Sequence, residues 1–227
     1  MHNIEKNLAL VQQKIELAAT EFQRDPQTIT LLAVTKTKPV ADIERAYQCG
    51  QRHFGENYLQ EAEQKINALM QLQIIWHYIG SIQSNKTRKI SELFDWVHSI
   101  ERYKIAQQLS KYRPAHKAPL NILLQINIDN EPGKSGIRLS EVMPLADQIN
   151  ALTQVKLRGL MAIPAVHDNP EDQRRPFRKM KQALTELQQR YPECDTLSMG
   201  MSGDMQAAIA EGSTLVRIGT AIFGPRI

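Results

Sequence analysis

Apolar residues recur at steps of three and four near the start of the chain, at Ile4, Leu8, Val11, Ile15, Ala18 and Phe22, with charged and amide side chains between them. One apolar stripe on a helix follows from that spacing, and the segment reads as an amphipathic helix, not a secretion leader. Beyond it the pattern changes. Short apolar runs rich in β-branched residues occupy positions 30–36, 53–57, 74–80, 94–100, 120–128, 155–163, 196–202 and 215–223, which gives eight predicted strands.

Between the runs lie segments of helical period. Residues 40–50 are the clearest, with Pro39 placed to open a helix and Gly50 to end it. Residues 58–70, 84–92, 102–112, 139–152 and 171–190 are also two-sided, and a short helix over 204–212 stops at Gly212. Regular alternation of strand and helix, with strands apolar along their whole length, implies parallel pairing covered on both faces. Eight such units predict a closed (β/α)8 barrel of the TIM type, one domain over residues 1–227, with an extra amino-terminal helix. An open doubly wound sheet is the rival, but the G-x-G-x-x-G turn that marks its dinucleotide form is absent after the first strand, which runs instead into Thr35-Lys36-Thr37-Lys38-Pro39. The longest irregular stretches, 130–138 and 165–176, both follow strands, where barrels carry functional loops.

Composition narrows the classes. With 42% hydrophobic and 23% charged residues, the chain of 227 residues is neither disordered nor fibrous. A net charge of +4 favours an anionic small molecule over a dedicated nucleic-acid role. No apolar run approaches the roughly 20 residues of a membrane span. The two cysteines, Cys49 and Cys194, have no metal-binding spacing, and their scarcity suggests a reducing compartment, so a cytoplasmic location is expected.

Barrel chemistry sits at the carboxyl ends of the strands. Lys36 ends the first, and a lysine at the rim of an apolar barrel is partly desolvated, which leaves a nucleophilic amine able to form a Schiff base; a lysine snorkelling to solvent is the plain alternative. The seventh strand runs into Gly200-Met201-Ser202-Gly203-Asp204 and the eighth into Arg217-Ile218-Gly219-Thr220, where barrels commonly cradle phosphate, so Ser202, Gly219 and Thr220 are candidates; ordinary capping and close packing compete with that reading. Arg217 stands in an apolar strand and needs an acceptor, either a ligand atom or a carboxylate such as Glu56. A ligand offering an aldehyde, a phosphate and a ring nitrogen would meet all three needs, and pyridoxal 5′-phosphate has that chemistry.

The segments AVTKTKP, HFGENYLQE, WHYIGSIQSNK, GKSGI, LRGLMAIP and LSMGMSGDMQAAIAEGSTLVRIGTAIFG closely resemble, in order and spacing over the whole chain, the pyridoxal phosphate homeostasis proteins of the YggS/PROSC type. That resemblance implies a barrel similar to the amino-terminal domain of alanine racemases and cofactor binding without well-established turnover. Carried over by position, it implies Lys36 as the Schiff-base lysine, Ser202, Gly219 and Thr220 around the phosphate, Arg217 at the pyridine nitrogen, and Asn57, His77 and Met201 lining the pocket. It also implies a monomer and the possibility of cofactor delivery to apo forms of other enzymes. The similar racemases draw a catalytic tyrosine from a second domain, which is not expected in a chain ending at Ile227. A single-domain racemase, with Tyr58 or Lys38 as second base, is the enzymatic alternative, and a nucleic-acid partner protein with a vestigial pocket is a third reading.

Three other signals are set aside. Gly133-Lys134-Ser135 lacks the glycine that a phosphate-binding loop needs at position 128, where Ile128 stands, and Lys134 reads as a solvated loop residue or part of a lid. His77 and His98 end neighbouring strands without a third ligand at metal spacing. The basic run 86–89 has no interleaved aromatics and reads as a solvated helix face, and Lys38 as a solvated lysine, a charge balance near the phosphate or a second amine.

Overall fold

The computed structural model describes residues 3–225. Eight parallel strands close into a barrel in sequence order, the eighth pairing with the first. They are β1 (Thr30–Val34), β2 (His53–Glu56), β3 (Ile75–Tyr78), β4 (Trp96–Ile100), β5 (Leu120–Ile126), β6 (Val155–Ala162), β7 (Thr196–Ser198) and β8 (Leu215–Ile218). Register partners run Val34, Gly55, His77, Trp96, so the last residue of β1 is level with the first of β4. That stagger is the shear that a closed barrel of tilted strands requires.

The helices form the outer ring: α1 (Ile4–Glu21), α2 (Val40–Gln48), α3 (Leu59–Ala68), α4 (Thr87–Leu93), α5 (Tyr103–Tyr112), α6 (Val142–Ile149), α7 (Pro170–Arg190), α8 (Met205–Ala210) and α9 (Thr220–Phe223). Outward strand residues such as Phe54, Val97, Leu160 and Val216 pack with helix residues such as Ile43, Ile90, Leu109 and Phe177 in one continuous apolar layer. Helix α1 buries Ile4, Leu8, Val11, Ile15 and Ala18, the expected stripe, while Phe22 falls at its carboxyl cap and stays half-buried. Asn7 donates to the Ile222 carbonyl and Arg24 to those of Ile209 and Ser213, which ties this helix across the ends of α8 and α9.

All eight expected strands form, each inside its predicted run and most ending sooner. The largest difference is at 215–223, where the apolar run reads as one strand but Gly219 breaks it and Thr220–Phe223 turn into helix α9. The second long loop is shorter than expected because Asn169 caps α7 through the Glu171 amide and Pro170 takes its first turn. Among the described residues no helix is long and apolar enough to cross a membrane.

Gly159 adopts φ +142° at the register shift between β5 and β6, and a Cβ there would lie 2.0 Å from the Thr196 carbonyl oxygen. Gly159→Ala is therefore expected to cost about 3 kcal/mol or more in urea denaturation. A loss below about 1 kcal/mol would show that the β6–β7 seam gives way easily.

Candidate functional site at the carboxyl end of the barrel

The carboxyl ends of β1, β2, β7 and β8 bring most of the expected residues to one mouth. Lys36 lies two positions beyond β1, half-buried, and its neighbours hold it firmly. Thr35 is fully buried: its amide donates to the Gly55 carbonyl at 3.0 Å and its hydroxyl to Glu56 Oε1 at 2.6 Å. The Thr35 carbonyl accepts from the Lys38 amide at 3.0 Å and from Lys65 Nζ at 2.7 Å. Thr37 then turns the chain with φ +64°, its amide donating to Glu61. The backbone on both sides of Lys36 is thus fixed by groups from β2 and α3.

Lys65 lies on α3, a two-sided helix whose charged residues would ordinarily face solvent. Instead it is buried and reaches under β1 to pair with Glu56 at 2.7 Å and Glu61 at 2.5 Å. Burial raises the Glu56 carboxyl above its usual range, against the pull of Lys65. Glu56 therefore serves this cluster and does not pair with Arg217. The sequence carried only a faint sign of it, the i,i+4 spacing of Glu61 and Lys65.

Arg217 is 5% exposed and finds its acceptors in the backbone. NH1 donates to Ser198 O at 2.5 Å and Ser198 Oγ at 2.9 Å, and NH2 to Ala162 O at 3.0 Å. The guanidinium spans from β8 across β7 to the end of β6, using three of its five N–H groups. Desolvation lowers its pKa to about 10, opposed by the charge of Asp204. Asp204 in turn is raised by burial and accepts the Met201 amide at 2.6 Å, which shapes the loop carrying Met201 and Ser202, both exposed at the mouth.

Glycines let the walls approach. A Cβ on Gly219 would meet the Val34 carbonyl at 3.1 Å, which sets the entry to α9 directly beside β1, and one on Gly80 would lie 2.1 Å from the Asn57 carbonyl. Thr220 opens α9, exposed, with no side chain capping that helix. Asn57 is half-buried, and its Oδ1 is buried without a hydrogen-bond partner.

His77 does not join this group, which corrects its expected place in the cofactor pocket. It lies inside the barrel, fully buried, with Nδ1 2.9 Å from His98 Nε2 and Nε2 3.0 Å from His53 Nδ1. Its ring borders an opening at the amino-terminal ends of the strands, together with Thr30, His53 and Trp96. The resemblance alone implies its place in the pocket, and the hydrophobic pattern of a strand run does not reveal depth in a sheared barrel. Lys38 also departs from expectation: it is buried, and its Nζ donates to the Pro225 carbonyl at 2.7 Å. Lys134 pairs with Glu131 in its loop. Among the described residues no group of three or more His, Cys, Asp or Glu could hold a metal ion.

The family model for the alanine racemase N-terminal domain matches residues 3–226, which makes this eight-stranded parallel barrel one of the racemase type. Within that class the chain belongs to the pyridoxal phosphate homeostasis protein family. It is 53% identical over 228 residues to the member from Haemophilus influenzae, covering 99% of this chain and 96% of the relative. The Escherichia coli K12 member is 53% identical over 229 residues, with 100% and 98% coverage. PipY of Synechococcus elongatus, solved without PLP, superposes with a TM-score of 0.87 at 36% identity, covering 98% of this chain and all of that one; its form with PLP bound gives 0.85. Alanine racemase from Corynebacterium glutamicum shares the fold, with a TM-score of 0.69 at 17% identity over 59% of its length.

Two outcomes follow. Lys65→Met leaves Glu56 buried and unpaired, so denaturation should show a loss of about 3–5 kcal/mol, much of it recovered by adding Glu56→Gln; a single variant within 1 kcal/mol of wild type would contradict the clamp. His77 and His98 are held well below the ordinary imidazole range, both chiefly by burial, then by neighbouring histidines for His77 and by Arg217 for His98. The unfolded chain takes up protons that these rings refuse, so stability should fall as pH drops through about 6.5, by about 1 kcal/mol per ring over the first unit and toward about 1.4 kcal/mol per unit below it. Unfolding free energies measured between pH 6.5 and 5.5 that stay level would contradict their neutrality.

Proposed function

We propose that this chain is an intracellular pyridoxal 5′-phosphate binding protein that holds the cofactor on Lys36 as part of vitamin B6 homeostasis, with little or no turnover. The observation that carries the reading is the presence, at the carboxyl end of one barrel, of a half-buried lysine on a clamped turn and a buried arginine that pairs with no carboxylate among the described residues. The names of the relatives and the PLP-bound PipY structure support it. The residues fit the group: Asn57 Oδ1 is a buried acceptor without a donor, and the close approach of Gly219 to Val34 brings Thr220 beside the lysine's strand.

When bound, pyridoxal phosphate supplies an aldehyde carbon conjugated to an electron-withdrawing ring. Lys36 would supply the amine that holds the group at its aldehyde, the carbonyl oxygen leaving as water, with the backbone around it held by the turn from Thr35 to Lys38. Ser202, Gly219 and Thr220 offer hydroxyl and amide donors to the phosphate. Arg217 would hold the ring nitrogen as a donor that keeps its own proton, and its charge would oppose protonation of that nitrogen and weaken the ring as an electron sink. Met201 borders the pocket.

A non-catalytic role agrees with this electrostatics and with the engagement of Lys38, one of two candidate second bases, by the Pro225 carbonyl. The other, Tyr58, is 55% exposed at the start of α3. We further read residues 1–227 as one barrel domain acting as a cytoplasmic monomer, with apo enzymes that need the cofactor as partners.

Borohydride reduction of the protein with added pyridoxal phosphate, followed by peptide mass mapping, should label Lys36. Lys36→Met should abolish the label and Lys38→Ala should keep it. A label that survives Lys36→Met, or its absence from wild type, would overturn the assignment. Racemisation of a common amino acid at a cellular rate by the pure protein would overturn the non-catalytic reading.

A further inference from the structure

Three histidine rings outside the cofactor assignment form a line through the barrel interior. His53 Nδ1 lies 3.0 Å from His77 Nε2, His77 Nδ1 lies 2.9 Å from His98 Nε2, and His98 Nδ1 lies 2.9 Å from Ser198 Oγ. Ser198 Oγ also receives NH1 of Arg217 at 2.9 Å. The line therefore runs from Arg217, on the cofactor side, to His53 at the opposite end of the barrel. There His53 borders a cavity of about 340 Å³ with Trp96, Arg158 and Asp195. His77, His98 and Ser198 are fully buried, and His77 lies flat against Trp96 at 5.5 Å.

Counting hydrogens gives the line a direction. A guanidinium only donates, so Ser198 Oγ is the acceptor in its bond to Arg217. The Ser198 hydroxyl hydrogen then needs its own acceptor, and among the described residues the candidate is His98 Nδ1. A neutral imidazole that accepts at Nδ1 carries its hydrogen on Nε2, so His98 donates to His77, and His77 by the same rule donates to His53. The opposite direction would make Ser198 accept from both Arg217 and His98 and leave its hydroxyl hydrogen buried without an acceptor, at a cost of about 1–3 kcal/mol.

We propose that Ser198, His98, His77 and His53 are positioning residues for Arg217, a one-way hydrogen-bonded line that fixes the guanidinium for its contact with the cofactor. Each donor in such a chain polarises the next, so the Ser198 oxygen becomes a stronger acceptor for Arg217 than an isolated hydroxyl. The consequence for the cofactor rests on the proposed placement of Arg217 at the ring nitrogen; the direction of the line does not.

Long-range proton–nitrogen NMR on the protein without added cofactor reads the tautomer of each ring. The expected result is a hydrogen on Nε2 of His53, His77 and His98; a hydrogen on Nδ1 of His98 overturns the direction. The positioning role is read with pyridoxal phosphate as the probe, from its Kd and its absorption maximum when bound. His77→Leu, which removes a ring three hydrogen bonds along the line from Arg217, should shift the His98 resonances, move the absorption maximum and weaken binding about tenfold. Ser198→Ala should do the same and Ser198→Thr should restore both readings. Unchanged affinity and spectrum in folded His77→Leu and Ser198→Ala overturn the positioning role. If those variants do not fold, the tautomers of the wild-type protein decide the direction on their own. The expected tautomers without any adduct on Lys36 would support the line and remove the cofactor reading.

Discussion

A buried guanidinium is costly unless every contact around it is polar and well placed, and Arg217 sets that demand on this barrel. Its side chain crosses from β8 over β7 to the end of β6, taking carbonyls that the strand ladder leaves available there. Three strands are thereby joined by one side chain inside a barrel whose other interior residues include Leu32, packed under Gly55. The neutral histidines answer the same demand. A second positive charge beside Arg217 would be prohibitive, and burial together with that charge keeps His98 unprotonated.

On the other side of the mouth the constraint is met by charge pairing. Lys65, Glu56 and Glu61 lie beneath the turn that carries Lys36, with one lysine shared between two carboxylates. The cluster binds both the hydroxyl and the carbonyl of Thr35, so the peptide leading into Lys36 has little freedom. Hydrogen bonds thus fix both the backbone leading into Lys36 and the guanidinium of Arg217.

The barrel was legible because eight β-branched runs alternate with helix-period segments, and the periodicity that marks α1 survives in its buried face. Lys36 and Arg217 were legible as charged residues at the ends of apolar strands. What failed did so for geometric reasons. The run at 215–223 hid α9, because Ala221, Ile222 and Phe223 suit a buried short helix as well as a strand. Lys65 and Lys38 look solvated in sequence, since only the folded chain brings a carboxylate to the first and the Pro225 carbonyl to the second. His77 is assigned to the pocket by resemblance alone, and its ring lies instead among His53, Trp96 and His98 inside the barrel.

The central claim is that Arg217 meets the cofactor as a donor to an unprotonated ring nitrogen. Nitrogen-15 NMR of the protein loaded with ring-labelled pyridoxal phosphate tests it most directly. The account predicts a shift characteristic of an unprotonated, hydrogen-bonded pyridine nitrogen that persists through neutral pH. A pyridinium signal at neutral pH would contradict it and would require a carboxylate, not Arg217, at that position.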